Sequence, residues 1–424
     1  MKMIRKSDLP ELKRSLDSGT EEQRKAVQNI LADVKERGDM AIHAYTQKFD
    51  HVHLSQLQVT ESEIAASYKQ MDDETIEALR EAAGNIRRFH EKQTRSSWFD
   101  TQDDGTMLGQ KITPLDAVGV YVPGGTAAYP SSVLMNVIPA QVAGVKRIVM
   151  VTPPDEHGDV PAGVLAAADL VGVHEIYKIG GAQAVAALAY GSETILPVDK
   201  ITGPGNLFVA LAKREVFGEV DIDMIAGPSE IVVLADETGV ASEIAADLLS
   251  QAEHDERSSS VLVTTSDTLA VQVADEVAHQ LDSLPREAIA RVSIEDYGRI
   301  ILCADWGEAV AAVNEIAPEH LEVIAESPFQ TIGMIRHAGA IFLGPFSSEP
   351  VGDYFAGPNH VLPTSGTARF SSPLNVDDFV KKSSIISYSE EAFRNNADAI
   401  SRIARLEGLE GHARAIEKRK ERWL

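Results

Sequence analysis

Cysteine is all but missing from this chain: Cys303 is the one thiol among 424 residues. An intrachain disulfide is therefore excluded, which fits a reducing compartment and leads us to expect a cytoplasmic protein. Cys303 sits in the strand-like run "RIILCADW", where an inert buried thiol is expected. Positive charge is also scarce, with 39 Lys and Arg against 64 Asp and Glu and a net charge of −25 at pH 7. Such a balance opposes phosphate backbones and anionic membranes, so neither nucleic acid nor a lipid surface is an expected partner. Long apolar runs are lacking too. The richest, "VLMNVIPAQVAGVKRIVMV", is interrupted by Asn136, Pro139, Lys146 and Arg147, and the basic start "MKMIRKSDLPELKRS" has no apolar stretch behind it. Neither a membrane span nor a cleaved export signal is expected. No G-x-G-x-x-G follows any strand-like run, so the standard dinucleotide fingerprint is absent as well.

What is present reads as an ordinary globular composition, 44% hydrophobic and 24% charged, in a chain long enough for two or three domains. Up to about residue 110 the pattern is helical, with 3.6-residue periodicity in "EEQRKAVQNILADVKERGDMAIHAYTQKFD" and "DDETIEALREAAGNIRRFHEKQ". β-Branched runs then alternate with Ala-rich helices, as in "AVGVYVPGG", "RIVMVTPP", "PAGVLAAADLVGV", "EIYKIGG" and "AQAVAALAYG", and resume from "EIVVLADE" through "AGAIFLGPF". That alternation predicts βαβ units and parallel sheets, hence two α/β domains. We expect a helical part over 1–110, a first α/β domain over 111–235, a second α/β segment over 236–375 and a helical tail over 376–424. The second segment ends in the irregular "GPFSSEPVGDYFAGPNHVLPTSGTARFSSPLN", which holds Asp353, Tyr354, His360 and two Gly-Pro pairs. Its length and polar content predict an active-site loop.

Chemistry concentrates in a few places. Four Gly-rich turns, "YVPGGTAAYP", "IGGAQA", "TGPGN" and "AGPSE", follow strand-like runs, where they serve either as plain turns or as a cradle for a pyrophosphate. "APEHLE" sets Glu319 beside His320, either a surface dipeptide or a carboxylate tuning a proton-transferring imidazole. "LLSQAEHDERS" closes an amphipathic helix with Gln251 and His254 three residues apart, on one face. Together with Asp353 and His412 they offer an amide oxygen, two imidazoles and a carboxylate, a zinc-like set that leaves room for substrate.

In this order and over nearly the whole chain, "YVPGG", "GGAQA", "KITGPGN", "IDMIAGPSE", "LLSQAEHD", "APEHLE", "GDYFAGPNHVLPT" and "EGLEGHARAIEKR" closely resemble the histidinol dehydrogenase family. The resemblance implies two Rossmann-like parallel-sheet domains in an intertwined homodimer with shared active sites. It also implies NAD and one Zn²⁺ per subunit, and oxidation of L-histidinol through L-histidinal to L-histidine, the last step of histidine biosynthesis. Carried over by position, Gln251, His254, Asp353 and His412 are the implied zinc ligands, and Tyr121, Gln183 and Asn206 the NAD contacts. Glu319 and His320 are the acid–base pair. Ser229, Gln251, His254, His320, Asp353, His360, Glu407 and His412 surround the substrate. Two other classes remain as rivals: a zinc hydrolase using the same metal with Glu319 as base, and a non-enzymatic dimeric binding module. NAD dependence separates the first two readings, and either activity eliminates the third.

Overall fold

A computed structural model describes residues 1–7, 19–124 and 128–423. Part of the expected N-terminal helical stretch, 8–18, and the middle of the "YVPGGTAAYP" turn, 125–127, lie outside the described residues. In chain order the strands are β1 (Lys2–Arg5), β2 (Trp98–Thr101), β3 (Met107–Pro114), β4 (Ala117–Tyr121), β5 (Arg147–Thr152), β6 (Glu175–Lys178) and β7 (Lys200–Thr202). They continue with β8 (Asp221–Ile222), β9 (Glu230–Ala235), β10 (Ser259–Thr264), β11 (Arg299–Leu302), β12 (His320–Ile324), β13 (Ala340–Leu343) and β14 (Val380–Ser387).

Two compact units result: one joins Met1–Gln93 to Leu115–Phe379, the other joins Thr94–Pro114 to Val380–Leu424. The larger unit contains two parallel sheets, β6-β5-β4-β7-β8 and β1-β11-β10-β9-β12-β13. Counted from its own first strand, each sheet runs 3-2-1-4-5, and β1 merely adds an edge strand to the second. The expected parallel α/β sheets are therefore present as two copies of one winding pattern within this single compact unit, although the two halves share no residue-level repeat.

Both sheets are covered on both faces, which is why their strands read as near-continuous apolar runs. On β5, Val149 and Val151 enter one core and Met150 the other, the period of two expected of a strand. On β9, Ile231 and Val233 face one layer while Val232 and Leu234 face the opposite one. The helices follow the same logic. Thr20 and Gln23 form a capping box that starts the helix Glu21–Arg37, and Val27, Ile30, Leu31 and Val34 bury its apolar stripe. Cys303 is buried, and desolvation pushes its thiol up to about 11, the environment of an inert sulfur. Among the described residues no helix is long and apolar enough to cross a membrane.

The smaller unit is a three-stranded antiparallel sheet, β14-β3-β2, with the helices Glu390–Leu406 and Glu410–Lys420. Helical periodicity in the flanking segments hides these strands. β14 pairs with β3 over long separation, Met107 with Ser387 and Pro114 with Val380, and much of the surface of all three strands is exposed, so no apolar run announces them.

Candidate active site

Two places in the larger unit gather functional groups. The first is a cleft of about 800 Å³ at the carboxyl ends of β4, β6 and β7. Tyr121, Gln183 and Asn206, picked out from three different Gly-rich turns, all line it. Tyr121 is buried at the end of β4, and its hydroxyl oxygen accepts the Gly181 N–H at 3.0 Å, fixing the start of the helix Gly181–Tyr190. Gly203 has φ of 109°, and a Cβ there would lie 2.1 Å from the Tyr121 carbonyl oxygen, so only glycine lets the two turns approach. The buried Lys213–Asp223 pair ties this turn down: Lys213 Nζ donates to the Gly203 carbonyl at 3.0 Å, and Asp223 accepts the Gly203 N–H at 2.8 Å. Asn206 is an exposed N-cap whose side chain accepts from the N–H groups of Phe208 and Val209. The Gln183 side-chain oxygen is buried without a partner, an acceptor awaiting a donor.

The second place is the amino-terminal edge of the other sheet, where β12 begins. Ala317 takes a left-handed conformation, φ 53° and ψ 62°, to end the preceding helix. The chain then turns at once into Glu319 and His320, both buried. Glu319 accepts the Glu230 N–H at 2.8 Å and lies 3.6 Å from His320 Nδ1. His320 Nδ1 is 3.2 Å from the Glu230 carbonyl, which can only accept, so Nδ1 carries a proton and Nε2 is the exchanging nitrogen. Nε2 faces Asp353 at 3.4 Å. Asp353 lies on the loop expected to be functional, in a π-helical turn, Gly352–Ala356. Gln251 extends the buried stripe of the helix Ala241–Ala252, which brings its carboxamide to 3.2 Å from His320 Nδ1.

Charge is crowded here. Burial opposes a charged His320, but Glu319 and Asp353 outweigh it and hold the imidazole well above its usual range. Burial likewise resists the Asp353 carboxylate, yet contact with His320 holds it below its ordinary value. Glu349 is pushed up to about 8 by burial and the neighbouring Asp353, and Glu322, by burial and Asp247, to about 9. One ligand atom from each of His320, Glu349 and Asp353 lies within 4.8 Å of the others, a spacing that suits a cation. Glu349, which also accepts from the Ser250 hydroxyl at 3.0 Å, carried no signal in the sequence beyond an acidic residue four positions before Asp353.

The remaining expected residues fall as follows. His254 is exposed just past the helix Ala241–Ala252, with Nδ1 2.9 Å from the Ser250 carbonyl, leaving Nε2 as its basic nitrogen. His360 is half-buried, and burial lowers its basicity although Asp353 pulls the other way. Ser229 is half-buried immediately before β9. The "AGPSE" turn thus opens a strand, unlike the other three. Glu407 and His412 are exposed on the smaller unit, at the end of one helix and in the first turn of the next.

A cleft at the carboxyl ends of one Rossmann-like sheet, with an imidazole–carboxylate cluster on a second sheet, is an arrangement that suits an α/β oxidoreductase. The sequence model of the histidinol dehydrogenase family matches residues 13–420. The histidinol dehydrogenase of Geobacillus kaustophilus is 66% identical over 97% of each chain, and that of Bacillus subtilis is 64% identical over 100% of this chain and 99% of its own. A crystal structure of the Elizabethkingia anophelis histidinol dehydrogenase superposes with a TM-score of 0.95 at 38% identity, covering 100% of this chain and 98% of that one. The chain belongs to the histidinol dehydrogenase family.

Proposed function

We propose that this protein oxidises L-histidinol through L-histidinal to L-histidine, the closing step of histidine biosynthesis, reducing two NAD per substrate. The observation that carries the reading is the buried Glu319–His320 pair set against Asp353 in a chain of this family. In its neutral form His320 takes the hydroxyl proton of the alcohol at Nε2, while Nδ1–H stays on the Glu230 carbonyl and holds the ring in place; a cation held by Asp353 would offset the carboxylate charge that otherwise keeps the ring protonated. Glu319, anchored by the Glu230 N–H, takes a proton from the water that adds to the aldehyde. His320 then serves the hydrate as it served the alcohol. Across both steps the substrate gives up four electrons as two hydrides, together with two protons, and gains one water oxygen.

Two groups complete the chemistry. NAD supplies the hydride acceptor, and the cleft fits it: the turns of Tyr121, Gln183 and Asn206 converge there, glycines keep the walls open, and Gln183 holds an unpartnered buried oxygen. Zinc supplies a Lewis-acidic point that orients the substrate's amine and imidazole nitrogens. Gln251, His254 and Asp353 would hold it, with His412 from a second copy. The Glu349 carboxyl beside Asp353 favours a cation, since it retains a proton that a positive ion would replace. Ser229, His360 and Glu407 are assigned to the substrate's surroundings.

A shared site asks for a homodimer. Glu407 and His412 lie among exposed apolar side chains, with Ile403 60%, Leu406 87% and Leu409 42% exposed, a surface suited to burial against a second copy. The acidic composition, with a single cysteine, supports a cytoplasmic setting. The test is NADH formation from histidinol: absorbance that rises only with both histidinol and NAD supports the dehydrogenase, and NAD-independent substrate cleavage would revive the hydrolase.

A further inference from the structure

The cleft contains a carboxylate that the reaction does not use. Asp50 ends the helix Asp39–Phe49, its N–H donating to the Thr46 carbonyl at 2.9 Å. The next residue, His51, has φ of 58°, the left-handed region that side chains other than Gly and Asn seldom adopt. The chain therefore turns away at once and leaves Asp50 on the cleft wall. Asp50 Oδ2 is buried and has no hydrogen-bond partner. Burial pushes its carboxyl up to about 6, and its charge is felt by the Tyr121 hydroxyl across the cleft.

An orphaned carboxylate oxygen in a cleft asks for a donor, and the surroundings say which kind. Phe49, adjacent in sequence and 47% exposed, stacks on Tyr45 with ring centroids 5.8 Å apart. Phe208 is also exposed, and Pro153 and Pro154 add flat apolar wall. Aromatic faces for a base and an adjacent acceptor for a sugar hydroxyl describe an adenosine subsite. Neither His320 nor Asp353 lines this cleft, so it holds the end of the cofactor remote from hydride transfer.

We propose that Asp50 is a specificity residue, accepting the 2′-hydroxyl of the adenosine ribose and excluding nucleotides that carry a 2′-phosphate. Dinucleotide sites with the glycine fingerprint place such an acid after a strand of the same sheet. Here it comes from the end of an N-terminal helix, where no fingerprint would find it. A phosphate dianion brought to this position faces a buried carboxylate, and Lys48, whose ammonium lies 5.1 Å from the Phe49 ring centre, is the cation left to receive it.

The proposal rests on the cleft being the nucleotide site, and calorimetric titration separates the two claims. The probes are ADP-ribose and its 2′-phosphorylated analogue, which lack nicotinamide, so binding is read without turnover. The wild-type protein is expected to prefer ADP-ribose. Asp50→Ser and the near-isosteric Asp50→Asn should weaken ADP-ribose roughly 10- to 100-fold, the worth of a hydrogen bond to a charged group. Both should leave the phosphorylated analogue unchanged or tighter, so that the preference collapses. Phe208→Ala and Gln183→Ala should weaken both ligands alike. If these two cleft variants leave ADP-ribose binding intact, the nucleotide reading of the cleft fails. If they weaken it while the two Asp50 variants keep the wild-type preference, the cleft stands and the proposal for Asp50 is overturned.

Discussion

His320 is a buried titratable group and Asp50 a half-buried one with a buried Oδ2, yet the first is fully supplied with partners and the second has none for that oxygen. We expect His320→Asn to lower turnover roughly 10²- to 10⁴-fold, the usual loss of a general base, with zinc content unchanged. Zinc lost with His320 would make it a ligand and favour the His320–Glu349–Asp353 trio as the metal site over the set containing Gln251, His254 and His412. Asp50 gives a pH prediction with two opposite signs. Its folded-state value, about 6, lies above the ordinary carboxyl range, so its contribution to folding is full at low pH and is lost as pH rises through about 6. Ligand acceptance needs the carboxylate, so nucleotide affinity should fall as pH drops below that value. His51, Lys48, Tyr45 and Tyr121 are the other titratable groups around it. Comparison with Asp50→Asn removes their contributions: the variant should melt higher than wild type at pH 8, with the gap closing near pH 4. A gap that is constant with pH would show that Asp50 is not desolvated.

Elements position these residues by backbone geometry more than by side-chain choice. The "TGPGN" turn illustrates it, since Gly203 permits close approach to Tyr121 and the Lys213–Asp223 pair clamps both its N–H and its carbonyl. Lys213→Met should leave a buried, unpaired Asp223 carboxylate and cost about 3–5 kcal/mol of stability, measured by denaturant unfolding. Nucleotide affinity should fall with it, because the turn loses its anchor. A variant of wild-type stability would mean that the pair is exposed in solution.

Much of this was legible in the sequence for a physical reason. Strands covered on both faces and helices with a buried stripe carry periodicities that survive without a structure, so the alternating sheets and the helix before Gln251 could be read directly. The three turns that meet in the cleft announced themselves by glycine after a strand. Glu349 and Asp50 did not, because their meaning comes from burial beside groups distant in sequence, and an isolated acidic residue looks like any solvated one. The strands of the smaller unit were hidden for a related reason: they are exposed on much of their surface and lack an apolar pattern, and β14 pairs with β3 across hundreds of residues.

On the scale of the whole molecule, the account divides each site between subunits, with His320 from one copy and His412 from the other. His320→Asn and His412→Asn homodimers, each inactive, should therefore complement when dissociated and mixed. A heterodimer collects both lesions in one site and none in the other. Random pairing makes about half the dimers heterodimers, so activity should return to about a quarter of wild type. A mixture that stays inactive after verified subunit exchange would place both residues in the same subunit's site. One protein carries the alcohol all the way to the acid in the proposed reaction, and counting the NADH formed tests this. With limiting L-histidinol and excess NAD, the account predicts two NADH formed and one histidine recovered per histidinol consumed; one NADH with free aldehyde accumulating would contradict it.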